Sequence, residues 1–554
     1  MAACRKTRLP ERQALSVAGR EVPALYNGMA TAADWMSGAS FVALAGGIYF
    51  GGYPYLGFII GWTGGYVLVN SLMAPYLRKF GCYTVPDFIG TRYGGNVARF
   101  CAVVVLVAAS FTYVTAQIDA SGTIAARAFN IPFAVGVWIG LVGILLCSML
   151  GGMRAVTWTQ VAQYIVLIIA YLIPVIWMSN KQGFGLIPQL VYGDAVARIA
   201  DLEQLHQVGA LKPAAGAAPA GLQALVTPHN GPPDSFVGSV RFVTLVACMM
   251  IGTASLPHIL MRYFTTPSVR SARNSVAWSL LFIFLLYFTA PALATFTKLQ
   301  MLDPNLATSV IGKSLAEVNA HVWVQKWSAV GGLKVIDSNG DGIVQVNEFF
   351  MREDIVVLAT PEIAGLPYVI SGLVAAGGMA AAMSTADGLL LAIANALSHD
   401  LYYKIIDPKA DVKRRLIVAR VLLIVIGAAG AAVASLRLTG ILGAVAWAFD
   451  FAMSGLFFPL VLGIWWKRAN TAGAIAGMLV GLGVGTWYLY MVYAGGMAPW
   501  WGIDHLRFGI IGALASLISM VVVTLMTPAP DKETQAMVDE IRIPKGQTVL
   551  GTTH

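Results

Sequence analysis

The chain has 554 residues, of which 57% are hydrophobic and only 11% are charged, and its formal net charge is +9 at pH 7. Long apolar runs separated by short basic segments exclude a soluble globular protein. Apolar runs of about 20 residues also exclude a membrane β-barrel, whose strands are shorter. The composition therefore predicts an all-α polytopic membrane protein, and we expect the positive charge to orient its loops and not to bind nucleic acid.

We expect twelve membrane-spanning segments and two long outward loops. The spans lie near residues 25–49, 53–76, 99–125, 131–151, 156–178, 239–263, 275–297, 365–395, 416–435, 439–466, 471–494 and 507–527. Basic residues concentrate in alternate connecting segments, which the positive-inside rule places in the cytoplasm. The prediction is a multi-pass protein of a bacterial-type plasma (inner) membrane. Its parts are a transmembrane domain over 25–527, cytoplasmic tails at 1–24 and 528–554, and outward loops at 179–238 and 298–364.

The two outward loops differ in pattern. The first is rich in Ala, Pro and Gly, and we expect it to be mostly irregular. The second contains D-S-N-G-D-G-I-V-Q-V-N-E over residues 337–348, which fits the EF-hand pattern D-x-N-x-D-G-x5-E. The calcium-ligating positions are held by the side chains of Asp337, Asn339, Asp341 and Glu348 and by the carbonyl of Ile343. The sequence predicts a structural Ca²⁺ site, and the alternative is an acidic turn without metal.

Two of the expected spans carry polar and small residues where a membrane helix is usually apolar. The first contains Asp34 among serines and glycines, and the sixth contains Pro257. Proline removes one intrahelical hydrogen bond and frees carbonyl groups. Interrupted helices at corresponding positions of two halves point to a midplane binding site. The spacing favours two five-helix halves of inverted topology (a 5+5 repeat) followed by two C-terminal helices. The alternative is a pair of kinked helices without a ligand.

A third polar cluster lies in the eighth span. Ser384, Thr385 and Asp387 fall inside an apolar run rich in alanine. Each of these groups needs a partner, because an unpaired hydroxyl or carboxylate is costly to bury in hydrocarbon. Two hydroxyl oxygens joined by nearby backbone carbonyls suit a dehydrated monovalent cation. The alternative is that both hydroxyls only bond carbonyls of their own helix.

Several stretches resemble the sodium/solute symporter family, and in particular its acetate-permease-like branch. They are residues 16–24 (SVAGREVPA), 33–41 (ADWMSGASF), 83–93 (YTVPDFIGTRY), 151–160 (GGMRAVTWTQ), 256–264 (LPHILMRYF), 384–387 (STAD) and 398–402 (SHDLY). The resemblance implies a leucine-transporter-like fold and a sodium-coupled symporter that imports its solute by alternating access. Members of this family usually carry a leading helix before the first stretch, and here only about 15 polar residues precede it, so either the helix is absent or the start is truncated.

The resemblance also implies one sodium site, between the broken first helix and the eighth. Its ligands would be the backbone carbonyls of Ala33, Met36 and Ala381 and the hydroxyls of Ser384 and Thr385. Five oxygens without formal charge suit an ion that must be released on the low-sodium side of the membrane.

Ionisable groups near this site have more than one interpretation. Asp34 and Asp387 are candidates for a second cation or a proton, and a structural pair with an arginine or a backbone cap is the alternative. Arg154 and Arg262 lie at predicted cytoplasmic ends of spans, where we expect their side chains to reach the lipid headgroups. We expect His258 to be a hydrogen-bonded packing residue.

For the solute, the resemblance implies a position against the unwound first helix, with the third, sixth and tenth helices around it. Candidate lining residues are Trp35, Ser37, Ser40, Gln117, Thr253, Ser255 and Trp447. No arginine is expected at the midplane, so a carboxylate would bind backbone N–H groups at a half-helix N-terminus. The branch implies a short monocarboxylate such as acetate, and a different solute class stays open.

Other classes of function are weaker. A transporter-like membrane sensor of a small solute would share the fold, but the short segment after Thr527 argues against an appended signalling domain. A membrane enzyme is not expected, because the intramembrane groups include no nucleophile and base pair. The expected partners are a small solute and the lipid bilayer, with Na⁺ as coupling ion, Ca²⁺ as structural ion, and no obligate protein partner.

Overall fold

The computed structural model describes residues 21–149, 152–213, 221–306, 308–543 and 549. Most of the predicted tail 1–24, part of the tail 528–554 and the side chain of Arg154 lie outside the described residues. Ten described helical stretches are long and apolar enough to cross a membrane. Two shorter apolar helices, Ala39–Gly51 and Phe133–Met149, match the first and fourth predicted spans. The predicted polytopic helical architecture is therefore confirmed.

The N-terminal half contains five spans and their connecting helices. The helices are α1 (Ala24–Trp35), α2 (Leu44–Gly51), α3 (Leu56–Leu68), α4 (Ala74–Phe80), α5 (Val85–Tyr93), α6 (Asn96–Phe129), α7 (Phe133–Met149), α8 (Gly152–Lys181) and α9 (Pro188–Leu205). A π-helical turn at Ala39–Ala43 leads directly into α2, and another at Val69–Met73 joins α3 to α4. Thus α1 with α2, and α3 with α4, form single interrupted spans.

The rest of the chain contains the remaining spans and the second outward loop. The helices are α10 (Phe236–Ser255), α11 (Pro257–Phe264), α12 (Val269–Tyr287), α13 (Ala290–Leu302), α14 (Leu315–Ala320), α15 (Val322–Ala329), α16 (Val356–Ile363), α17 (Tyr368–Asn395), α18 (Val412–Ser435), α19 (Ile441–Trp465), α20 (Thr471–Tyr493), α21 (Gly509–Met526) and α22 (Lys532–Ile541). A π-helical segment, Ala396–Ile406, extends α17.

Both predicted helix interruptions are present. α1 ends at Trp35 because Met36 leaves the helical region of backbone space (φ −72°, ψ 67°). The sixth span breaks at Leu256, which is extended (φ −69°, ψ 118°) between α10 and α11. Pro257 is the first residue of α11, where its missing N–H costs nothing and where it disfavours a helical conformation of the preceding residue. The freed backbone groups of both spans therefore lie inside the bundle.

The helices pack so that the end of α1 meets the middle of α17. α17 packs against α6 and α8, while α1 packs against α8, α12 and α17. α19 lies along α6 and completes the opposite side. Buried apolar side chains from these helices form one continuous core. The interrupted region of α1 is thus enclosed on all sides by other helices.

The first outward loop is more ordered than its composition indicates. It contains α9, which the prediction of a mostly irregular loop did not include, and the described residues around α9 and β1 are irregular. α9 packs against α13, and a buried ion pair joins Glu203 of α9 to Lys298 of α13 at 2.7 Å. The charge partner on α13 is distant in sequence, and the Ala, Pro and Gly residues that suggested irregular structure follow α9.

The two outward loops meet in a three-stranded antiparallel sheet. The strands are β1 (Gln223–Ala224) from the first loop and β2 (Leu333–Val335) and β3 (Phe349–Met351) from the second, in the order β1-β3-β2. Ala224 and Lys334 both pair with Phe350 of the central strand. The segment 337–348 connects β2 to β3, so the sheet fixes both of its ends.

A short 3₁₀ turn after β3 enters the mouth of the helical bundle. This turn, Glu353–Ile355, contacts α2 at Gly46. A Cβ added at Gly46 would lie 1.9 Å from the carbonyl oxygen of Glu353, which only a glycine avoids. The second outward loop is therefore seated directly on the interrupted first span.

Candidate functional site

The predicted cation ligands come together where α1 ends against α17. The hydroxyl of Ser384 donates hydrogen bonds to the carbonyls of Ala33 (2.7 Å) and Ala381 (2.9 Å). The hydroxyl of Thr385 donates to the carbonyls of Asp34 (2.6 Å) and Ala381 (3.3 Å). All of these residues are fully buried. Two hydroxyls and three carbonyls thus converge without any formal charge among the five oxygens.

The hydrogen bonds of the two hydroxyls fit both interpretations of the pair, bonding within α17 and a cation site shared with α1. The bonds to Ala381 stay within α17, as in ordinary helix bonding. The bonds to Ala33 and Asp34 cross to α1, where the freed carbonyls at its end accept them. Among the described residues the carbonyl of Met36 is not a partner of either hydroxyl, although Met36 is buried at the adjacent break. Four of the five ligands implied by the resemblance are therefore in contact, and Asp34 supplies the other carbonyl.

Gln160 on α8 fixes the register of this part of α17. Its amide nitrogen donates to the carbonyl of Ser384 at 2.7 Å, and its side chain is fully buried. Gln160 lies in the family-like stretch 151–160, but no role was predicted for it. A glutamine in an apolar span needs a buried partner, so its presence was a usable signal.

Asp34 makes the structural pair that was the alternative interpretation. Its Oδ2 lies 2.9 Å from Nε of Arg262, and both side chains are completely buried. The expectation that Arg262 reaches the lipid headgroups is wrong. α11 places this side chain inside the bundle, where a second nitrogen donates to the hydroxyl of Thr157 on α8 at 3.3 Å. A buried counter-charge on α1 makes this position favourable.

Asp387 lies near the same region on α17. Its Oδ1 accepts a hydrogen bond from the hydroxyl of Ser148 on α7 at 2.5 Å. Its Oδ2 has no hydrogen-bond partner among the described residues, and the side chain is fully buried. The neighbourhood therefore contains two carboxyl groups and one guanidinium group.

An aromatic cluster lies beside the break in α1. We define it as the seven rings that contact one another in this region: Trp35, Trp62, Tyr66, Tyr113, His258, Tyr287 and Phe449. Trp35 is at its centre, with ring centroids 5.0 Å from Tyr66 and 5.5 Å from Phe449. The rings come from α1, α3, α6, α11, α12 and α19 and are buried. The cluster closes the space next to the cation ligands.

Several polar atoms at this cluster have no hydrogen-bond partner among the described residues. They include Nε1 of Trp35 and of Trp62, Oη of Tyr66, Nε2 of the adjacent Gln117 and both ring nitrogens of His258. His258 therefore packs as expected, with its ring 5.5 Å from that of Tyr113, but it lacks the expected hydrogen bond among the described residues. Buried polar groups are nearly always paired in proteins, so a set of orphans at one place indicates a site for a polar ligand.

The predicted solute-lining residues fall into two groups. Ser37 is buried at the break, Ser40 lies 3.1 Å from the hydroxyl of Tyr287, and Gln117 accepts a bond from the N–H of Gly38 at 2.8 Å. With Trp35, these residues adjoin the aromatic cluster.

The remaining three predicted residues are used differently. The hydroxyls of Thr253 and Ser255 bond carbonyls of their own helix. The ring of Trp447 contacts His505 and lines a groove of about 260 Å³ between α6, α18, α19 and α20. Phe449 is the residue of α19 that reaches Trp35, and sequence reasoning missed it because a phenylalanine in a span carries no distinguishing signal.

The predicted EF-hand-like loop adopts a compact turn structure. Asp337 accepts bonds from the N–H groups of Gly340 (2.7 Å) and Gly342 (3.0 Å). The N–H of Ile343 donates to Asp341 and lowers the pKa of that carboxyl. Glu348 is buried, and it accepts a bond from the N–H of Ser338 across the loop.

Residues outside the EF-hand-like loop pair with its second half. Ile343 forms an antiparallel bridge with Ser314, and the N–H of Val344 donates to the carbonyl of Lys313 at 2.9 Å. EF-hand loops usually occur in pairs, and no second loop is visible in the sequence. Here an ordinary segment before α14 makes the backbone contacts, so the EF-hand-like loop is held at its middle as well as at its ends.

Comparison with known families supports a transporter. A sequence model of the sodium:solute symporter family matches residues 16–322 and 353–481. The unmatched interval contains β2, the segment 337–348 and β3. The EF-hand-like loop thus lies outside the part of the chain that the family model matches.

Individual relatives agree with this assignment. An uncharacterized symporter of Cupriavidus necator is 42% identical over 92% of this chain and 87% of its own length. A monocarboxylic acid transporter of Corynebacterium glutamicum is 27% identical over 84% of this chain and 76% of its own length. Both proteins are similar along most of their length.

The fold also matches a solved transporter structure. A Na⁺-coupled sialic acid symporter in a substrate-bound outward-open state superposes with a TM-score of 0.64 at 16% identity, over 94% of this chain and 93% of that one. This likeness shows the fold alone, and it confirms the leucine-transporter-like architecture. The family match and the 42% identical relative show that this multi-pass plasma-membrane protein belongs to the sodium:solute symporter family.

Proposed function

We propose that the protein is a sodium-coupled symporter that imports a short monocarboxylate by alternating access. The observation that carries the proposal is the contact between α1 and α17, where five uncharged oxygens converge beside an aromatic cluster with orphaned polar atoms. A cation and a solute bound side by side at an interrupted helix stabilise each other, and this coupling is reciprocal. Such coupling is what cotransport requires.

Sodium is the transported cation in this proposal. The hydroxyls of Ser384 and Thr385 and the carbonyls of Ala33 and Ala381 would hold it, with the carbonyl of Asp34 or Met36 as a further ligand. Hydroxyl and carbonyl oxygens suit a hard cation. The absence of formal charge among them favours release on the low-sodium side.

The chemistry of the aromatic cluster supports an acceptor-rich solute such as a carboxylate. Trp62 and Gln117 present N–H groups that can only donate, and Tyr66 presents a hydroxyl. The surrounding rings include the apolar ring of Phe449, which suits a solute with a small hydrocarbon part. The 27% identical monocarboxylic acid transporter supports the same class of solute.

Asp387 is the better candidate for a second cation. One oxygen of each carboxylate has no hydrogen-bond partner among the described residues, but Asp34 forms an ion pair with Arg262, whereas Asp387 forms none among those residues. We assign Asp34 a structural role and Asp387 the role of an additional cation ligand. Ser148 would orient the Asp387 carboxylate for that role.

Counterflow in proteoliposomes tests the transport proposal. Vesicles are loaded with unlabelled acetate, propionate, lactate or a neutral sugar, and labelled acetate is added outside with or without sodium. We expect transient accumulation of label only with sodium and only with the short acids inside. A sensor would give no counterflow with any of them, and accumulation driven by the sugar would contradict the solute class.

We further propose that the EF-hand-like loop binds calcium as a structural ion. The side chains of Asp337, Asn339, Asp341 and Glu348 and the carbonyl of Ile343 supply the oxygens, and Glu348 already points across the loop. An outward module of this kind binds calcium with a dissociation constant of about 10⁻⁴–10⁻³ M. Calorimetry on the purified protein should show a calcium-dependent heat, and its absence would contradict the assignment.

A further inference from the structure

Arg262 occupies a position that neither transport chemistry nor membrane anchoring explains. Its side chain is completely buried and bridges α1, through Asp34, and α8, through Thr157. It belongs to α11, the half-helix that continues into the predicted cytoplasmic segment after Phe264. A guanidinium in this place connects the interrupted sixth span to the interrupted first span.

Asp34 contacts both the candidate cation site and Arg262. Its backbone carbonyl accepts the Thr385 hydroxyl at 2.6 Å in the candidate cation site. Its carboxylate pairs with Arg262 at 2.9 Å. One residue therefore contacts a cation ligand through its main chain and the sixth span through its side chain.

The carboxylate of Asp34 is also held against α17. A Cβ added at Gly388 would lie 2.2 Å from Oδ1 of Asp34, so this glycine makes room for the carboxylate. Gly388 follows Thr385 by less than one helical turn. Any change in the distance between α1 and α17 at the cation site therefore moves the carboxylate that Arg262 meets.

A second set of hydrogen bonds, around Asn27, joins α1 to α11 and α12. The amide nitrogen of Asn27 on α1 donates to the carbonyl of Arg262 (3.3 Å) and to the hydroxyl of Ser275 on α12 (2.8 Å). The hydroxyl of Thr265 donates to Oδ1 of Asn27 at 3.0 Å. The cytoplasmic parts of α1, α11 and α12 are thus one connected unit.

We propose that Arg262 is a positioning residue that couples occupancy of the cation site to closure of the inner half of the bundle. A bound cation draws the end of α1 to α17 and sets the Asp34 carboxylate where Arg262 meets it, which keeps the inner parts of α1 and α11 together. Loss of the cation loosens α1, weakens the ion pair and opens the cytoplasmic path. The inference rests on the sodium site proposed above.

Hydrogen exchange on the unmodified protein provides the first test. Sodium, compared with potassium at equal ionic strength, should slow amide exchange in α1 and also in α11, residues 257–264. We expect at least about a fivefold slowing in α11, the lower end of usual coupling between sites. Slowing confined to α1 and α17 would overturn the inference while leaving the sodium site intact. No effect of sodium anywhere would overturn both.

A paired substitution provides the second test. Asp34→Asn with Arg262→Gln removes both charges together, which avoids leaving one buried charge without its partner. The reporter is Ser279→Cys, a buried position of α12 whose backbone faces Gly28 of α1, in a background without other cysteines. Labelling by N-ethylmaleimide is measured with and without sodium, and thermal unfolding reports sodium binding itself.

With the charge pair intact, sodium should slow labelling of the reporter at least about fivefold. In the paired variant, sodium should still raise the unfolding temperature but should change labelling less than about twofold. A paired variant that binds sodium and keeps full protection would contradict the role of Arg262. A parent protein whose unfolding temperature ignores sodium would contradict the sodium site instead, and the inference with it.

Discussion

The contact between α1 and α17 and the outward segment 337–348 both collect oxygen atoms, but they treat charge in opposite ways. At the contact, the oxygens belong to buried hydroxyls and carbonyls, and the nearby carboxylate of Asp34 is neutralised by Arg262. In the outward segment, Asn339 and Asp341 are exposed, and most of the oxygens carry charge. Because water screens and solvates the exposed side chains of the outer segment, that segment tolerates several carboxylates, whereas a carboxylate buried at the contact needs a partner, as Asp34 has in Arg262. The difference suits a monovalent ion that leaves and a divalent ion that stays.

The largest difference between the two regions is expected when one carboxylate is removed from each. Asp34→Asn takes away the carboxylate partner of buried Arg262, and we expect the free energy of unfolding to fall by about 3–5 kcal/mol. Asp341→Asn, in calcium-free buffer, should change it by less than about 0.5 kcal/mol because the side chain is exposed. Thermal unfolding of both variants in one detergent measures the contrast. Equal losses would contradict it.

A smaller effect is expected where the turn after β3 meets α2 of the interrupted first span. Gly46→Ala places a Cβ 1.9 Å from the carbonyl oxygen of Glu353, so the turn that follows β3 must shift. Overpacking of this kind costs about 1–3 kcal/mol. Gly372→Ala on α17 is the matched control, since a Cβ there meets nothing within 4 Å and the residue is also helical. If both variants unfold at the parent temperature, the outward loop is not seated on the first span.

A substitution at the last ligand position, Glu348, tests the proposed calcium site. Glu348→Gln keeps the shape of the side chain and removes one negative charge from the segment. We expect calcium to bind at least about tenfold more weakly, a loss of about 1.4 kcal/mol. Glu317→Gln, in the same outward loop but outside 337–348, should leave calcium affinity unchanged. Titration calorimetry compares the two, and sodium-dependent transport should be the same in both.

The contact of Ser384 and Thr385 with other buried groups could be predicted because hydroxyls in an apolar span need partners. Ser384 and Thr385 stand out for that reason, and the break at Met36 follows from the polar, small residues around it. The pairing of Asp34 with Arg262 could not be predicted in the same way. The two residues are 228 positions apart, and an arginine near the end of a span ordinarily reaches the lipid headgroups.

Contacts between residues far apart in the sequence also explain the other differences from expectation. α9 was missed because its stabilising partner, Lys298, lies on a distant helix. His258 was expected to have a hydrogen bond because buried polar groups nearly always do. The absence of one becomes visible only when the surrounding rings are placed. Sequence periodicity therefore gives spans and breaks, while contacts between distant helices decide which polar groups pair.

The sodium dependence of the Thr385→Val variant tests whether a cation binds between α1 and α17. The substitution keeps the side-chain shape and removes the hydroxyl that meets the carbonyls of Asp34 and Ala381. We expect the half-saturating sodium concentration for uptake to rise roughly tenfold, a loss of about 1.4 kcal/mol, with solute affinity recovered at high sodium. Ser398→Ala, beyond the site in the π-helical extension of α17, should behave as the parent. A Thr385→Val protein that is expressed normally and transports with unchanged sodium dependence would contradict the cation site between α1 and α17.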